Sequence, residues 1–181
     1  MNTCMILWRK FSRRTRARIM SKILIVYYSH TGNTEKMAEA VAEGARTVKG
    51  VEVELNRHGS VWGLDSYDAI LIGAPTYHRT MTSSIKNFLE DIPFHNVNLK
   101  GKVGAAFGSY RWSGEAPRMV LEVMENKFEM KVVKPPLIIK YSPDEKGLEE
   151  CRKLGTHVAE QISRSVGVRK TFSHSGYRGP R

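Results

Sequence analysis

A loop rich in hydroxyl side chains follows the first apolar run of the chain. The run is short, β-branched and aromatic, and apolar residues at helical spacing begin directly after the loop. The first turn of a helix presents unpaired backbone N–H groups and the positive end of the helix dipole, which together bind phosphate. The same residue types also cap helices, but a cap needs only one of them, whereas this loop has several. The loop lacks the lysine of a nucleotide triphosphate loop, so the pattern favours a single phosphate held by neutral donors. The predicted donors are Ser29, Thr31 and Thr34, and Gly32 and Asn33 allow the close turn.

Two further loops place aromatic residues beside glycine, proline and serine. In the first of them, Tyr77 and His78 follow a proline at the end of an apolar run. Tyr77 is expected to stack on a flat ligand, with ordinary packing as the alternative, and His78 taken alone would be a surface histidine. In the second, Tyr110 and Trp112 alternate with small residues, which suits the wall of a planar, partly polar ligand. A phosphate on one loop and aromatic rings on two others describe a site for flavin mononucleotide (FMN).

Short apolar runs alternate with helical patterns through the middle of the chain. This alternation predicts an α/β fold with a parallel sheet covered by helices on both faces and joined by right-handed crossovers. Ligands of such sheets bind beyond the carboxyl ends of the strands, where the three loops lie. The predicted strands are residues 22–28, 51–55, 69–72, 102–107 and 131–139, and the predicted helices are residues 33–47, 83–91, 115–127 and 143–163.

The basic charge of the chain lies at its two ends. The chain has 181 residues and a formal net charge of +11. Residues 1–19 carry six basic residues, residues 163–181 carry five, and neither segment contains an acidic residue. The rest is therefore neutral, which argues against nucleic-acid binding by the domain itself, since a nucleic-acid-binding fold usually carries its own basic face.

Composition and charge divide the chain into three parts. We expect residues 1–20 to be a basic extension, residues 21–163 the FMN-binding domain, and residues 164–181 a basic, disordered tail. Three interpretations of the extension are open: it is disordered or untranslated with Met20 as the start, it is an organelle-targeting peptide, or it is a basic arm for an acidic partner.

Cys4 and Cys151 lack metal-ligand spacing and predict free thiols in a reducing cytoplasm. No run approaches the roughly 20 apolar residues of a membrane span, and no metal is expected.

Over residues 21–163 the chain resembles the flavodoxin family. The Ser29–Thr34 loop is similar to the family's Thr/Ser-x-Thr-Gly-x-Thr phosphate motif, and residues 107–115 are similar to the flavodoxin module of A-type flavoproteins, or flavo-diiron proteins. The resemblance implies a doubly wound, five-stranded parallel sheet of strand order 2-1-3-4-5 and noncovalently bound FMN. The segment 131–139 has no long insertion, which indicates the short-chain type.

The resemblance also assigns the cofactor contacts to the three loops. It implies that the phosphate is held by Ser29, His30, Thr31, Gly32, Asn33 and Thr34. It implies that one side of the flavin ring is lined by Pro75, Thr76, Tyr77 and His78, and the other by Ser109, Tyr110, Arg111, Trp112, Ser113 and Gly114. The A-type module more often has glycine where Arg111 stands. We expect this cation to raise the potential for the second electron, by Coulomb attraction to the reduced flavin anion; the alternative is that Arg111 points into water.

No residue of this set must act as an acid, a base or a nucleophile, so no catalytic residue is predicted. The leading hypothesis is an electron carrier that exchanges electrons with protein redox partners. The alternative is an NAD(P)H-dependent FMN oxidoreductase of the quinone reductase type, with His78 or Tyr110 near the substrate; the short loops favour the carrier. A flavin-free signalling module would need an acidic residue at a strand end, where this chain has Ser29 and Gly73. The oligomeric state, monomer or homodimer, is left open.

Overall fold

The computed structural model describes residues 20–172, and the side chains as far as residue 165. The strands are β1 (Ser21–Tyr27), β2 (Val51–Asn56), β3 (Ala69–Gly73), β4 (Thr76–Tyr77), β5 (Thr80–Met81), β6 (Val103–Tyr110), β7 (Lys131–Val132) and β8 (Leu137–Lys140). The helices are α1 (Asn33–Arg46), α2 (Ser83–Asp91), α3 (Glu115–Asn126) and α4 (Glu145–Phe172), with 3₁₀ turns at Leu64–Ser66 and Ile92–His95. The predicted extension up to residue 19, and residues 173–181 of the predicted tail, lie outside the described residues.

A six-stranded parallel sheet forms the centre of the fold, in the order β2-β1-β3-β6-β7, with β8 also paired to β6. The predicted doubly wound fold and strand order are confirmed. The inner strands are apolar at nearly every position because both faces are covered. Helices α1 and α4 cover one face, and α2 and α3 cover the other. None of the described helices is long and apolar enough to cross a membrane.

Two strands differ from their predicted bounds. The predicted fifth strand, residues 131–139, is divided into β7 and β8, because Pro135 and Pro136 have no N–H group to donate to the ladder. Strand β6 continues to Tyr110 instead of ending at residue 107, because residues 107–110 pair with β8. Part of the third predicted loop is therefore strand, so that its first site residues are held by main-chain hydrogen bonds.

Two further features fall outside the predicted elements. Strands β4 and β5 form a short antiparallel hairpin in the second loop. Its turn residues, His78 and Arg79, have φ angles of 48° and 62°, and positive values at both positions are those of a type I′ turn. Helix α4 continues to Phe172, so the predicted boundary between residues 163 and 164 falls inside a helix.

Helices α1 and α4 approach each other at two glycines. A Cβ atom added to Gly44 would lie 1.9 Å from the carbonyl oxygen of Arg152, and one added to Gly155 would lie 1.9 Å from that of Val41. The Thr156 hydroxyl donates a hydrogen bond to the Gly44 carbonyl oxygen at 3.0 Å. The two backbones are therefore in direct contact, which fixes α1 between the sheet and α4.

We expect Gly155→Ala to destabilise the protein by about 2–3 kcal/mol, because the added methyl group must push the two backbones apart. Alanine is the better helix former, so helix propensity alone would stabilise this variant by about 1 kcal/mol. A loss of stability would therefore show that the backbones of α1 and α4 are in contact at Gly155. The control is Gly147→Ala, whose Cβ would meet only the end of the Ile139 side chain, at 3.0 Å, and an Asp144 side-chain oxygen at 3.2 Å. Urea denaturation measures both variants, and a Gly155→Ala protein as stable as the wild type would contradict the close packing.

Candidate functional site

The loop between β1 and α1 leaves hydrogen-bond donors free at the start of a helix. Gly32 precedes α1 with φ 82°, a left-handed conformation that favours glycine, and no side chain caps the helix. Ser29 is 3% exposed, and its Oγ has no hydrogen-bond partner among the described residues. A buried hydroxyl without a partner costs about 1–3 kcal/mol, which a ligand oxygen would recover. The capping alternative is therefore not what this loop does: it fits an anion such as phosphate.

A hydrogen bond between two buried hydroxyl groups joins the first and third loops. Thr34 Oγ1 lies 3.0 Å from Ser109 Oγ, and the two residues are 1% and 8% exposed. Both were predicted as ligand contacts from the sequence. In the structure their hydroxyls bond each other across the start of α1 and the end of β6, which fixes the distance between these elements.

A charged pair that the sequence reasoning missed supports the first loop. Arg57 donates a hydrogen bond to the Ser29 carbonyl oxygen at 3.1 Å, and its guanidinium lies 3.8 Å from a Glu35 carboxylate oxygen. The Tyr27 hydroxyl donates to the same carboxylate at 3.0 Å. Burial, and then this hydrogen bond, raise the pKa of Tyr27, so its hydroxyl stays protonated. No motif in the sequence marks Arg57, which follows the end of β2.

One cavity of about 350 Å³ at the carboxyl edge of the sheet collects residues from all three loops. The first loop contributes through Thr31 and Asn33, and Tyr141 comes from the segment after β8. The other lining residues are Pro75, Thr76, Tyr77, Ser109, Tyr110 and Arg111. Eight of the sixteen residues predicted from the sequence thus line a single cavity. Its phosphate-type donors and tyrosine rings match the two chemical halves of FMN.

The other predicted residues lie around this cavity. His78, Trp112 and Ser113 line an adjoining cavity of about 480 Å³, together with Arg79. His30 is exposed and lines a third cavity, of about 390 Å³. Outside these linings are Ser29, Gly32 and Thr34, at the start of α1, and Gly114, which precedes α3.

Tyr141 is the lining residue that the sequence reasoning did not find. It follows β8, has φ 61°, and its N–H donates to the Tyr110 carbonyl oxygen at 2.7 Å. The carboxyl end of β8 lies at the same edge as the three loops, so the rule that located them also covers this segment. Tyr141 follows the fifth predicted strand, whereas the unusual loops of the sequence follow the first, third and fourth.

The hairpin of the second loop is fastened to the start of α3. The Ala116 N–H donates to Thr76 Oγ1 at 3.2 Å, and Arg79 lies 3.6 Å from a Glu115 carboxylate oxygen. A hydrogen bond from the Ser113 hydroxyl, followed by the interaction with Arg79, lowers the pKa of Glu115. Glu115 is therefore an anion at neutral pH, and its carboxylate lies between the second and third loops.

A larger cavity, of about 710 Å³, lies at the opposite edge of the sheet. Its lining includes Lys100, Lys131 and Arg164, and it contains none of the residues predicted from the sequence. It lies between the starts of β6 and β7 and residues 161–165 of α4. The chemistry indicated by the loops belongs to the smaller cavity, where phosphate-type donors and aromatic rings meet.

A doubly wound sheet with these three loops defines an FMN-binding α/β protein. The family model for flavodoxin matches residues 25–155 of the chain. The chain belongs to the flavodoxin family, whose cofactor is FMN.

Known proteins of three kinds are similar to this chain. It is 32% identical to the Type A flavoprotein of Rhodobacter capsulatus, over 82% of this chain and 35% of that protein. It is 40% identical to an NAD(P)H dehydrogenase (quinone) of Methylocella silvestris, over 50% of this chain and 57% of that protein. The structure of a flavodoxin from the domain Archaea is 38% identical, with a TM-score of 0.73, and covers 78% of this chain and 99% of its own. The chain thus spans only about a third of the Type A flavoprotein but almost all of the archaeal flavodoxin.

We expect Ser29→Ala to lower the affinity for FMN by about tenfold, because a hydrogen bond to a charged phosphate is lost. The affinity for riboflavin, which has no phosphate, should not change. The cofactor-free variant should be at least as stable as the wild type, because the deleted hydroxyl has no partner in the protein. Fluorescence titration and urea denaturation measure these quantities.

The matched variant is Thr34→Val, which removes a hydroxyl that does have a protein partner. It should destabilise the cofactor-free protein by about 1–3 kcal/mol, since Ser109 loses its hydrogen bond. Equal losses of FMN and riboflavin affinity in Ser29→Ala would contradict a phosphate contact at this hydroxyl.

Proposed function

We propose that this protein is an electron carrier that binds FMN and passes electrons between protein redox partners. The observation that carries the proposal is the cavity that joins all three loops, together with the unpartnered Ser29 Oγ, which lies in the first loop outside the cavity lining. The match to nearly the full length of a known flavodoxin structure supports it. The Type A relative is supporting evidence only for the part of its length that this chain covers.

We assign eleven of the sixteen predicted residues to direct cofactor contacts and add Tyr141. The hydroxyls and backbone of Ser29–Thr34 hold the phosphate at the start of α1. Tyr77 and Tyr110 form walls for the flavin ring, with Pro75 and Thr76 beside the first and Ser109 and Arg111 beside the second. Tyr141 adds a wall that the sequence did not predict. His30, His78, Trp112, Ser113 and Gly114 lie further out and shape the surroundings.

The lining of the cavity favours a carrier over a catalyst. FMN supplies the electron chemistry when bound. The nine lining residues include no Asp, Glu, His, Lys or Cys. The pKa of Tyr77 is raised by burial, so this hydroxyl keeps its proton at neutral pH. The walls therefore orient the ring and limit its access to water, without a group poised to move a substrate proton.

A second candidate function is that of an NAD(P)H-dependent FMN oxidoreductase. The 40% identity to an NAD(P)H dehydrogenase (quinone) favours it, as does the adjoining cavity of about 480 Å³, in which His78 lies. We rank it second because the matching region covers only 50% of this chain, and because the adjoining cavity is formed only by the hairpin and the third loop.

We place the protein in the cytoplasm. Cys151 is a free, buried thiol, and burial raises its pKa to about 12. It therefore stays protonated at neutral pH, and free cysteines in place of disulfides are usual in a reducing compartment. Protein redox partners fit this proposal, and their identity is open.

The deciding measurement is an anaerobic absorption spectrum of the protein loaded with FMN, desalted, and then mixed with NADH or NADPH. We expect the flavin band to survive desalting and to remain unbleached by the nicotinamide, as for a carrier that receives electrons from a protein. Rapid bleaching would identify the reductase instead. Loss of the flavin on desalting would contradict both functions.

We expect Arg111→Gly to lower the potential for the second electron by about 50 mV, because a cation near the ring stabilises the reduced anion. Arg111→Lys keeps the charge and should keep the potential. Lys49→Gln removes an equal charge from an exposed position at the far edge of the sheet and should leave it unchanged. Spectroelectrochemical titration measures all three, and an unchanged potential in Arg111→Gly would show that this cation lies in water.

A further inference from the structure

Exposed aromatic and basic side chains surround the mouth of the FMN cavity. We call this surface the rim, and it comprises Tyr77, Arg79, Arg111, Trp112, Lys140 and Tyr141. Trp112 is 85% exposed and Tyr141 is 52% exposed. Trp62 and Phe94, outside the rim, are similarly exposed, so exposure alone does not distinguish this surface, and its distinguishing feature is the cations beside its rings.

Cations accompany the exposed rings of the rim. The Arg111 guanidinium lies 5.8 Å from the centre of the Trp112 ring, and Lys140 Nζ lies 5.3 Å from that of Tyr141. Each pair therefore combines an apolar surface with a positive charge at one place, as cation–π contacts do.

The six rim residues include three cations and no acidic residue, although the middle of the chain is neutral; the nearest acidic residues in sequence are Glu115, Asp144 and Glu145. Within the described part of the chain, neither Arg111 nor Lys140 forms an ion pair. Arg79 is 85% exposed and pairs with Glu115 at 3.6 Å, a weak contact in water. No carboxylate lines either of the two cavities at the mouth.

We propose that the rim is the docking surface for an acidic protein partner, whose carboxylates face the rim cations and whose apolar centre covers Trp112. The proposal rests on the proposed carrier function. Tryptophan, tyrosine and arginine are the residues that dominate protein interfaces, and charge complementarity steers the encounter. A partner seated on the rim covers the cavity mouth, where it can exchange electrons with the bound flavin. Docking itself makes and breaks no covalent bond.

The arrangement of the cations favours a protein over a small anion. Arg79 belongs to the hairpin, Arg111 follows β6, and Lys140 ends β8. These three elements lie around the mouth, with tyrosine and tryptophan rings between them. Arg79 and Arg111 line one cavity, whereas Lys140 lies outside its lining, beside Tyr141. A small anion in that cavity therefore leaves Lys140 uncovered, and an extended acidic protein surface can meet all three charges.

The first test needs no cofactor. In a Trp8→Phe/Trp62→Phe background, Trp112 is the remaining tryptophan, and its fluorescence is quenched with iodide, an anion, and with neutral acrylamide. The Arg111 charge lies 5.8 Å from the centre of the Trp112 ring, and its removal should reduce iodide quenching about twofold at physiological salt. We therefore expect weaker iodide quenching and unchanged acrylamide quenching in Arg111→Gln. Lys49→Gln removes the same charge at the far edge of the sheet and should behave as the parent.

The second test uses the loaded protein, reduced with dithionite and mixed in a stopped-flow instrument. The acceptors are ferricyanide, a trianion, and hexaammineruthenium(III), a trication; each takes one electron. Their rate ratio cancels any change in the flavin potential that both share. At low salt, Arg111→Gln should lower the anion-to-cation ratio by about tenfold, and added salt should remove the difference. A short polyglutamate peptide should slow the ferricyanide reaction, and Arg111→Gln should weaken this competition.

The outcomes separate the two proposals. Iodide quenching and rate ratios that are the same in Arg111→Gln and Lys49→Gln would overturn the rim while leaving the carrier function intact. Competition by polylysine in place of polyglutamate would reverse the charge of the partner and overturn the proposal. A protein that loses FMN on desalting would overturn the carrier function, and with it the docking of a redox partner, even if the quenching result held.

Discussion

The position of helix α1 is the constraint on which the candidate site depends. The helix is pressed against the sheet on one side and against α4 on the other, where Gly44 and Gly155 bring the backbones into contact. Its first turn is then fixed relative to the carboxyl edge, and the Thr34–Ser109 hydrogen bond sets the distance to β6. Donors for an anion are thus oriented before any ligand arrives, which reduces the entropy that binding must overcome. The fold thus holds the first loop in a conformation in which the Ser29 hydroxyl has no hydrogen-bond partner among the described residues.

Much of this fold could be predicted because its signals are local. Strand β1 is an uninterrupted apolar run, and α1 follows it with a clear helical spacing, so their order and type follow from sequence alone. The rule for parallel sheets then places the loops at one edge. The cavity lined by residues of all three loops agrees with that placement.

The rest depends on contacts between segments distant in sequence. Strand β6 reaches Tyr110 only because β8 pairs with residues 107–110. No residue close to Tyr110 in the sequence predicts this pairing. Arg57 reaches Ser29 across the sheet edge, and Tyr141 reaches the cavity through a hydrogen bond to Tyr110. The hairpin turn was hidden for another reason: His78 and Arg79 adopt positive φ angles without the Asn or Gly that usually marks such a turn.

Thr76 connects the second loop to the start of α3 and also lines the cavity. Its side chain lines the cavity, and its Oγ1 also accepts the hydrogen bond of the Ala116 N–H at the start of α3. Ala116 is fully buried, so a hairpin that swung outward would leave that N–H without a partner, at a cost of about 1–3 kcal/mol. The hairpin that carries Tyr77 is therefore held in place against α3. Rotation of the Tyr77 or Tyr141 side chain would widen the mouth of the cavity without breaking that hydrogen bond.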